Sequence, residues 1–253
     1  MDTTDLTANS QQSPTEKLEN ALKDIYCLSG LGADERVFQN LKFQGYKPVH
    51  IYWLEPKKRE SIADYTQRLT AQIKLERPIL IGLSFGGIIA VEIAKQIDTE
   101  KVILISSTKN KQEIPFYFKM FRWLPIYLLL PAKLLLWFGK IIASWFFGIE
   151  TIDERKLLNA ILFDTNAHFV KWAIHQIVIW KNELIPHNVY HIHGEGDRIF
   201  PFQFVREDFS VEKGGHLMIM SRADCISNLI QKIVNLNTNL PTEITDSLAN
   251  DAS

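Results

Sequence analysis

Short unbroken runs of branched apolar residues alternate with stretches of helical spacing over the first third of the chain. The runs Asp24–Ser29, Pro48–Trp53, Pro78–Leu83 and Lys101–Ser107 are rich in Ile, Val and Leu. Runs of this length without polar alternation predict strands buried on both faces, as in a parallel sheet. Between them, Ala33–Leu41 places Val37, Phe38 and Leu41 on one helical face. Ser61 is a candidate N-cap for a helix whose apolar face is Ile62, Tyr65, Leu69 and Ile73. A helix from Ser84 to about Ile97 follows the third run. After Thr108 the alternation stops. From there to Pro186 the pattern is helical and punctuated by proline, with a helix expected over about Thr165–Trp180. Strand character resumes at Asn188–His193 and briefly at Asp208–Glu212. A final helix is expected over about Leu217–Leu236, with Leu217, Met220, Ile226, Leu229, Ile230 and Ile233 apolar. The pattern predicts an α/β fold: a doubly wound, mostly parallel sheet of about six strands carrying one helical insertion. The core then comprises residues 21–108 and 187–236, and the insertion residues 109–186. Residues 1–20 and 237–253 are polar and too poor in apolar groups to order themselves, so a disordered arm and tail are expected.

Composition narrows the function classes without changing this picture. The 253 residues are 46% hydrophobic and 23% charged, ordinary values for a soluble globular protein. A formal net charge of -1 argues against a nucleic-acid binder, which needs a basic excess. The two cysteines, Cys27 and Cys225, are too few for a disulfide scaffold. Cys27 falls in an apolar run and reads as a buried thiol, a usage compatible with a reducing compartment, so a cytoplasmic location is expected. The first twenty residues hold no apolar core of a signal peptide. No C-x-x-C, H-E-x-x-H or P-loop pattern occurs, so no metal, nucleotide or other cofactor is implied. His168 and His175 lie seven apart in the insertion, but no third ligand accompanies them.

The chemistry concentrates where strands end. Ile79 to Ala90 reads as buried strand, sharp turn and helix, with Gly82-Leu83-Ser84-Phe85-Gly86 at the turn. This is the G-x-S-x-G pattern, in which a serine sits on a strained strand-to-helix elbow. Its glycines have a steric reason, because the turn brings two backbones together. In a parallel sheet, ligands bind outside the carboxyl ends of the strands. The other candidates at those ends are Ser29-Gly30-Leu31-Gly32, Asp197 and His216. A serine hydroxyl needs a base to take its proton, and imidazole suits the task at neutral pH. The imidazole needs a carboxylate to fix its tautomer. A tetrahedral oxyanion needs preorganised N–H donors, for which the backbones of Phe85 and Leu31 are candidates. Asp164 is a rival acid, but it reads better as the cap of the helix starting near Thr165. His50, His191 and His193 read as structural, His193 holding its own loop.

Four segments resemble the α/β-hydrolase superfamily, over roughly Asp24 to Leu236. Gly82 to Gly87 resembles the nucleophile turn and Ser29 to Gly32 the oxyanion loop. His193-Gly194-Glu195-Gly196-Asp197-Arg198-Ile199-Phe200-Pro201 resembles the H-G-x-x-D-x-x-x-P acid loop, and Gly214-Gly215-His216 the base loop. The order Ser, Asp, His is the one this fold requires. The resemblance implies Ser84 as nucleophile, Asp197 as acid and His216 as base. It implies a serine hydrolase that cleaves an ester or thioester through an acyl-enzyme, without a cofactor. An acyltransferase on the same triad, and a hydrolase-fold ligand-binding protein with little turnover, remain alternatives. Two departures stand out. Ser29 replaces the usual His before the oxyanion glycine. The Asp197–His216 segment is short, so a reduced helix or plain loop is expected there, in a sheet without the family's two N-terminal strands.

The insertion falls where this family carries its caps. Residues 114–149 are aromatic- and leucine-rich, and their only charges are Lys119, Arg122, Lys133 and Lys140. Pro125, Pro131 and the lysines interrupt every apolar run before it reaches the ~20 residues of a membrane span. A lid of short helices is expected, with Trp123, Trp137 and Trp172 contacting a small apolar acyl substrate. Its surplus of apolar side chains and all-positive charge also suit peripheral contact with an anionic membrane surface.

Overall fold

The computed structural model describes residues 22–131, 134, 152, 155–156, 159–160 and 166–236; the expected arm, most of residues 132–165 and the expected tail lie outside the described residues. Among the described residues, six strands form one sheet: β1 (Lys23–Leu28), β2 (Tyr46–His50), β3 (Ile79–Leu83), β4 (Lys101–Ile105), β5 (Val189–Gly194) and β6 (Phe209–Val211). All neighbours are parallel, in the order β2-β1-β3-β4-β5-β6. The chain winds outward from β1 to β2, then returns to β3 and winds the other way. The carboxyl ends of β1 and β3 therefore flank the topological switch point, where such sheets bind ligands.

The strands are apolar on both faces because both faces are covered. Ile25, Cys27, Ile79, Ile81, Leu83, Ile103 and Ile105 belong to one buried cluster. Tyr26, Leu28, Leu80, Val102 and Leu104 belong to the other. Helices α1 (Ile62–Leu69) and α2 (Phe85–Ala94) pack on the second face, and α7 (Ala223–Val234) on the first. The insertion supplies α3 (Phe116–Trp123), α4 (Ile126–Leu129) and α5 (Ala167–Ile179). Phe169, Ala173 and Ile177 of α5 join the second cluster, so this part of the insertion is anchored on the core. Ser61 caps α1 as expected, its side chain accepting from Asp64 N–H.

Four expected elements are corrected. The helix over Ala33–Leu41 is only a 3-10 turn, Glu35–Phe38. Asp34 accepts from Arg36 N–H and grips the Arg36 guanidinium, which closes a tight local turn in place of a longer helix. Strand β2 ends at His50, not Trp53. Beyond Ile51, the Tyr52 N–H and C=O pair with the side-chain amide of Gln72, which stands in for a strand neighbour. The final helix is broken at Arg222 into α6 (Met218–Ser221) and α7. The cap of α5 is Asn166, whose side chain accepts from His168 and Phe169 N–H; Asp164 lies outside the described residues. Between Asp197 and His216 there is only a 3-10 turn, Phe202–Phe204, and the short β6, as the length of that segment requires. No described helix is long and apolar enough to cross a membrane.

Candidate active site

Ser84 sits directly after β3 with φ 53° and ψ −119°, a left-handed backbone that a residue with a side chain adopts only under constraint. The constraint is visible. Ser84 N–H donates to Ile105 O (2.9 Å), and Ser107 Oγ donates to Ser84 O (2.6 Å). A Cβ on Gly82 would run into Gly86 and Gly87, and one on Gly86 would strike the carbonyls of Leu28 and Ser29. The elbow therefore needs glycine at both positions to bring α2 against the ends of β1 and β3.

His216, in the loop after β6, closes on this serine from the other side. Its Nε2 lies 2.8 Å from Ser84 Oγ and its Nδ1 2.7 Å from Asp197 Oδ2. An ionised carboxylate only accepts, so Nδ1 carries the proton and Nε2 is left to accept from the hydroxyl. Asp197 and His216 are both buried. Asp197 Oδ1 also accepts from the N–H groups of Ile199 and Phe200 (2.8 and 3.0 Å). Burial pushes the Asp197 carboxyl up, but the charge and hydrogen bond of His216, with His193 and the Phe200 N–H, outweigh it and hold the group below its ordinary value. It thus stays ionised at neutral pH inside the protein.

The loop after β1 lies against the same serine: a Cβ on Gly30 would come within 3.4 Å of Ser84 Cβ. Ala33 N–H donates to Gly30 O (3.0 Å), closing a turn with Leu31 at its second position and Gly32 at φ 72°, as a type II turn requires. Ser29, which departs from the family's His, has its own part in this turn, its Oγ donating to Ala33 O (2.7 Å). Phe85 is the first residue of α2, so its N–H belongs to the helix's first turn, which has no partner within the helix.

Behind this line lies a second ring of polar residues, His191, His193 and Ser107. His193 Nε2 donates to Phe200 O (2.8 Å) and lies 3.6 Å from Asp197 Oδ2, which bears out its expected role in holding the acid loop. Its Nδ1 meets His191 Nε2 at 3.2 Å, and His191 Nε2 in turn lies 3.4 Å from the N–H of Ser107. Ser107, which anchors Ser84 O, belongs to no motif in the sequence. The only signal in the sequence was its place at the end of a strand. Burial holds both His191 and His193 below the ordinary imidazole range, His191 well below it. Tyr117 of α3 also reaches the acid loop, its hydroxyl donating to Ile199 O (2.9 Å).

The tryptophans expected over the substrate separate. Trp172 packs edge-on against Phe85 (6.2 Å) and against Tyr65 (4.4 Å), and its indole N–H donates to Glu60 O. It also lines a groove of about 790 Å³ with Arg59, Arg122, His175 and Trp180. Trp123 is 88% exposed at the end of α3, so it is not enclosed in a pocket. The side of that helix turned to the Ile199–Phe200 segment carries Tyr117 and Phe118 instead. Trp137 lies outside the described residues. His168 and His175 do not meet: His168 pairs with Glu55, and His175 with Tyr127. Cys27 is buried and its thiol is pushed up to about 12, which removes it as a nucleophile.

No protein-family model and no curated protein sequence matches the chain. Solved structures do. A bromoperoxidase from Bacillus anthracis superposes with a TM-score of 0.62 at 16% identity, over 84% of this chain and 92% of that one. An enol-lactonase from Burkholderia xenovorans LB400 gives 0.61 at 16% identity, over 85% and 92%. An esterase from Exiguobacterium antarcticum gives 0.57 at 17% identity, over 84% and 92%. Such identities establish architecture alone. With the parallel sheet, its strand order and the elbow that carries Ser84, they show that this chain has the α/β-hydrolase fold.

Proposed function

We propose that this chain is a serine hydrolase acting on a carboxylic ester or thioester with an apolar portion. One observation carries the reading: Ser84 Oγ, His216 and Asp197 form an unbroken hydrogen-bonded line, with the serine on a strained elbow. Nothing in a purely structural turn calls for all three. In this mechanism His216 Nε2 takes the Ser84 hydroxyl proton as Oγ attacks the carbonyl. Phe85 and Leu31 N–H hold the oxyanion. The imidazolium, stabilised by Asp197, then gives its proton to the leaving oxygen or sulfur. Water attacks the acyl-enzyme with His216 again as base, releasing the acid and restoring Ser84. The aromatic surroundings of the elbow favour an apolar acyl group: Phe85, the residue after Ser84, packs against Trp172 and Trp53.

Labelling with a fluorophosphonate probe, followed by hydrolysis of p-nitrophenyl esters of increasing chain length, tests the reading. Wild-type protein should label at Ser84 and prefer the longer acyl chains. Ser84→Ala should lose the label and about 10⁵–10⁶-fold in turnover. Full turnover by Ser84→Ala would overturn the mechanism. Absent labelling in folded wild-type protein would favour a ligand-binding role instead.

A further inference from the structure

The two faces of α3 point to a surface that this fold's chemistry does not require. Tyr117 and Phe118 make up the inner face, with Phe121, 46% exposed, at its edge. Tyr117 bonds Ile199 O, Phe118 stacks on Phe200 with ring centroids 6.0 Å apart, and Phe121 meets Tyr127. Phe116, Met120 and Trp123, spaced i, i+4, i+7, share the opposite face and are exposed, as are Leu124 and Leu129 just beyond. A surface helix ordinarily turns charged and polar residues to water. This one turns a second apolar stripe outward, flanked by Lys119 and Arg122. A patch of this kind marks an interaction site.

The charge says which partner fits. Residues 114–131 contain Lys119 and Arg122 and no acidic residue, in a chain whose formal net charge is -1. A protein partner would need its own apolar face ringed by acids. An anionic bilayer supplies both halves at once: hydrocarbon for Phe116, Met120, Trp123 and Leu124, and headgroup phosphates for the cations. Trp and Lys or Arg side by side are the residue types that settle at a lipid headgroup layer. We infer that the outer face of α3 docks this protein on an anionic lipid surface, in the interfacial plane and without spanning it. Because the inner face of the same helix holds the Ile199–Phe200 segment that positions Asp197, the docked helix lies next to the proposed catalytic acid.

Co-sedimentation of the full chain with phosphatidylcholine vesicles, with and without phosphatidylglycerol, tests this at low and raised salt. Binding should require phosphatidylglycerol and weaken with salt. Trp123→Ser with Leu124→Ser should lower partitioning about tenfold or more, and Lys119→Glu with Arg122→Glu should abolish the dependence on anionic lipid. Both pairs are exposed, so circular dichroism and thermal midpoints should match wild type. Ser84→Ala must bind the same vesicles as wild type, which separates this inference from the hydrolase reading. No binding to anionic vesicles at low salt would overturn it, as would unchanged partitioning of the Trp123/Leu124 variant. A dimer in solution that the same variant dissociates, and that vesicles leave intact, would assign the face to a second copy of this chain instead.

Discussion

At the scale of single residues, the site depends on groups that fix the orientation of others. Asp197→Asn keeps the shape of the acid, but its amide can donate where the carboxylate only accepts, so His216 loses its enforced tautomer. On the proposed mechanism, kcat/KM of the protein that remains folded should fall by about 10³–10⁴-fold. His193 acts one step further out. It holds Phe200 O, and the N–H of the same Phe200 holds Asp197 Oδ1. His193→Leu leaves a buried carbonyl unpaired, which should cost about 1–3 kcal/mol of stability. It should also lower kcat more than KM, because the acid moves while the acyl pocket does not. Equal loss in both, or none, would assign His193 to packing alone.

At the scale of elements, each helix reports on the strand before it. Helix α2 is apolar almost all round because it lies between the sheet and α5. Its one acid, Glu92, is buried, and accepts from Trp180 Nε1 at 2.8 Å and Lys95 Nζ at 2.7 Å. This joins the helix that follows Ser84 to the end of α5. Helix α7 ends on a strand: Lys101 of β4 is buried and donates to Val234 O and Leu236 O (2.8 and 2.7 Å). A lysine at a helix C-terminus satisfies carbonyls that have no partner in the helix and opposes the dipole. Lys101→Met should therefore destabilise the fold by about 1–3 kcal/mol, read as a lower urea midpoint. Fluorophosphonate labelling of the protein that remains folded should be retained, since the change lies at the amino end of β4, away from the elbow.

At the scale of the whole molecule, the histidines set a direction for pH. His50, His175, His191 and His193 are all held below the ordinary imidazole range, in each case chiefly by burial. A base whose folded pKa is depressed binds its proton less readily folded than unfolded. Its contribution is therefore complete above the unfolded value, about 6.5, and is lost as pH falls from there toward the folded value. Asp197 and Asp34, also depressed, add losses further down, as pH falls below the ordinary carboxylate range. Burial pushes Glu113 up, which acts in the opposite sense. Urea midpoints should thus be flat near pH 7–8 and begin to fall below about pH 6.5. In His191→Gln that first decline should be shallower, and a decline of unchanged slope would assign it to other groups.

Much of this was legible because it is local. The branched apolar runs mark strands covered on both faces wherever they lie in space. A serine between glycines at the end of such a run fits a tight strand-to-helix turn, and the order Ser84, Asp197, His216 agrees with the fold that uses it. The misses occurred where distant partners compete with local pattern. Gln72 takes over the backbone of Tyr52 and shortens β2, and the Asp34–Arg36 pair turns an amphipathic segment into a single 3-10 turn. The ring of His191, His193 and Ser107 behind Ser84, Asp197 and His216 arises only because β5 pairs with β4 in one register, bringing together residues more than eighty positions apart. The exposure of Trp123 follows from which face of α3 the acid loop occupies. Periodicity states that a residue is apolar and on a given face; only packing decides what, if anything, that face meets.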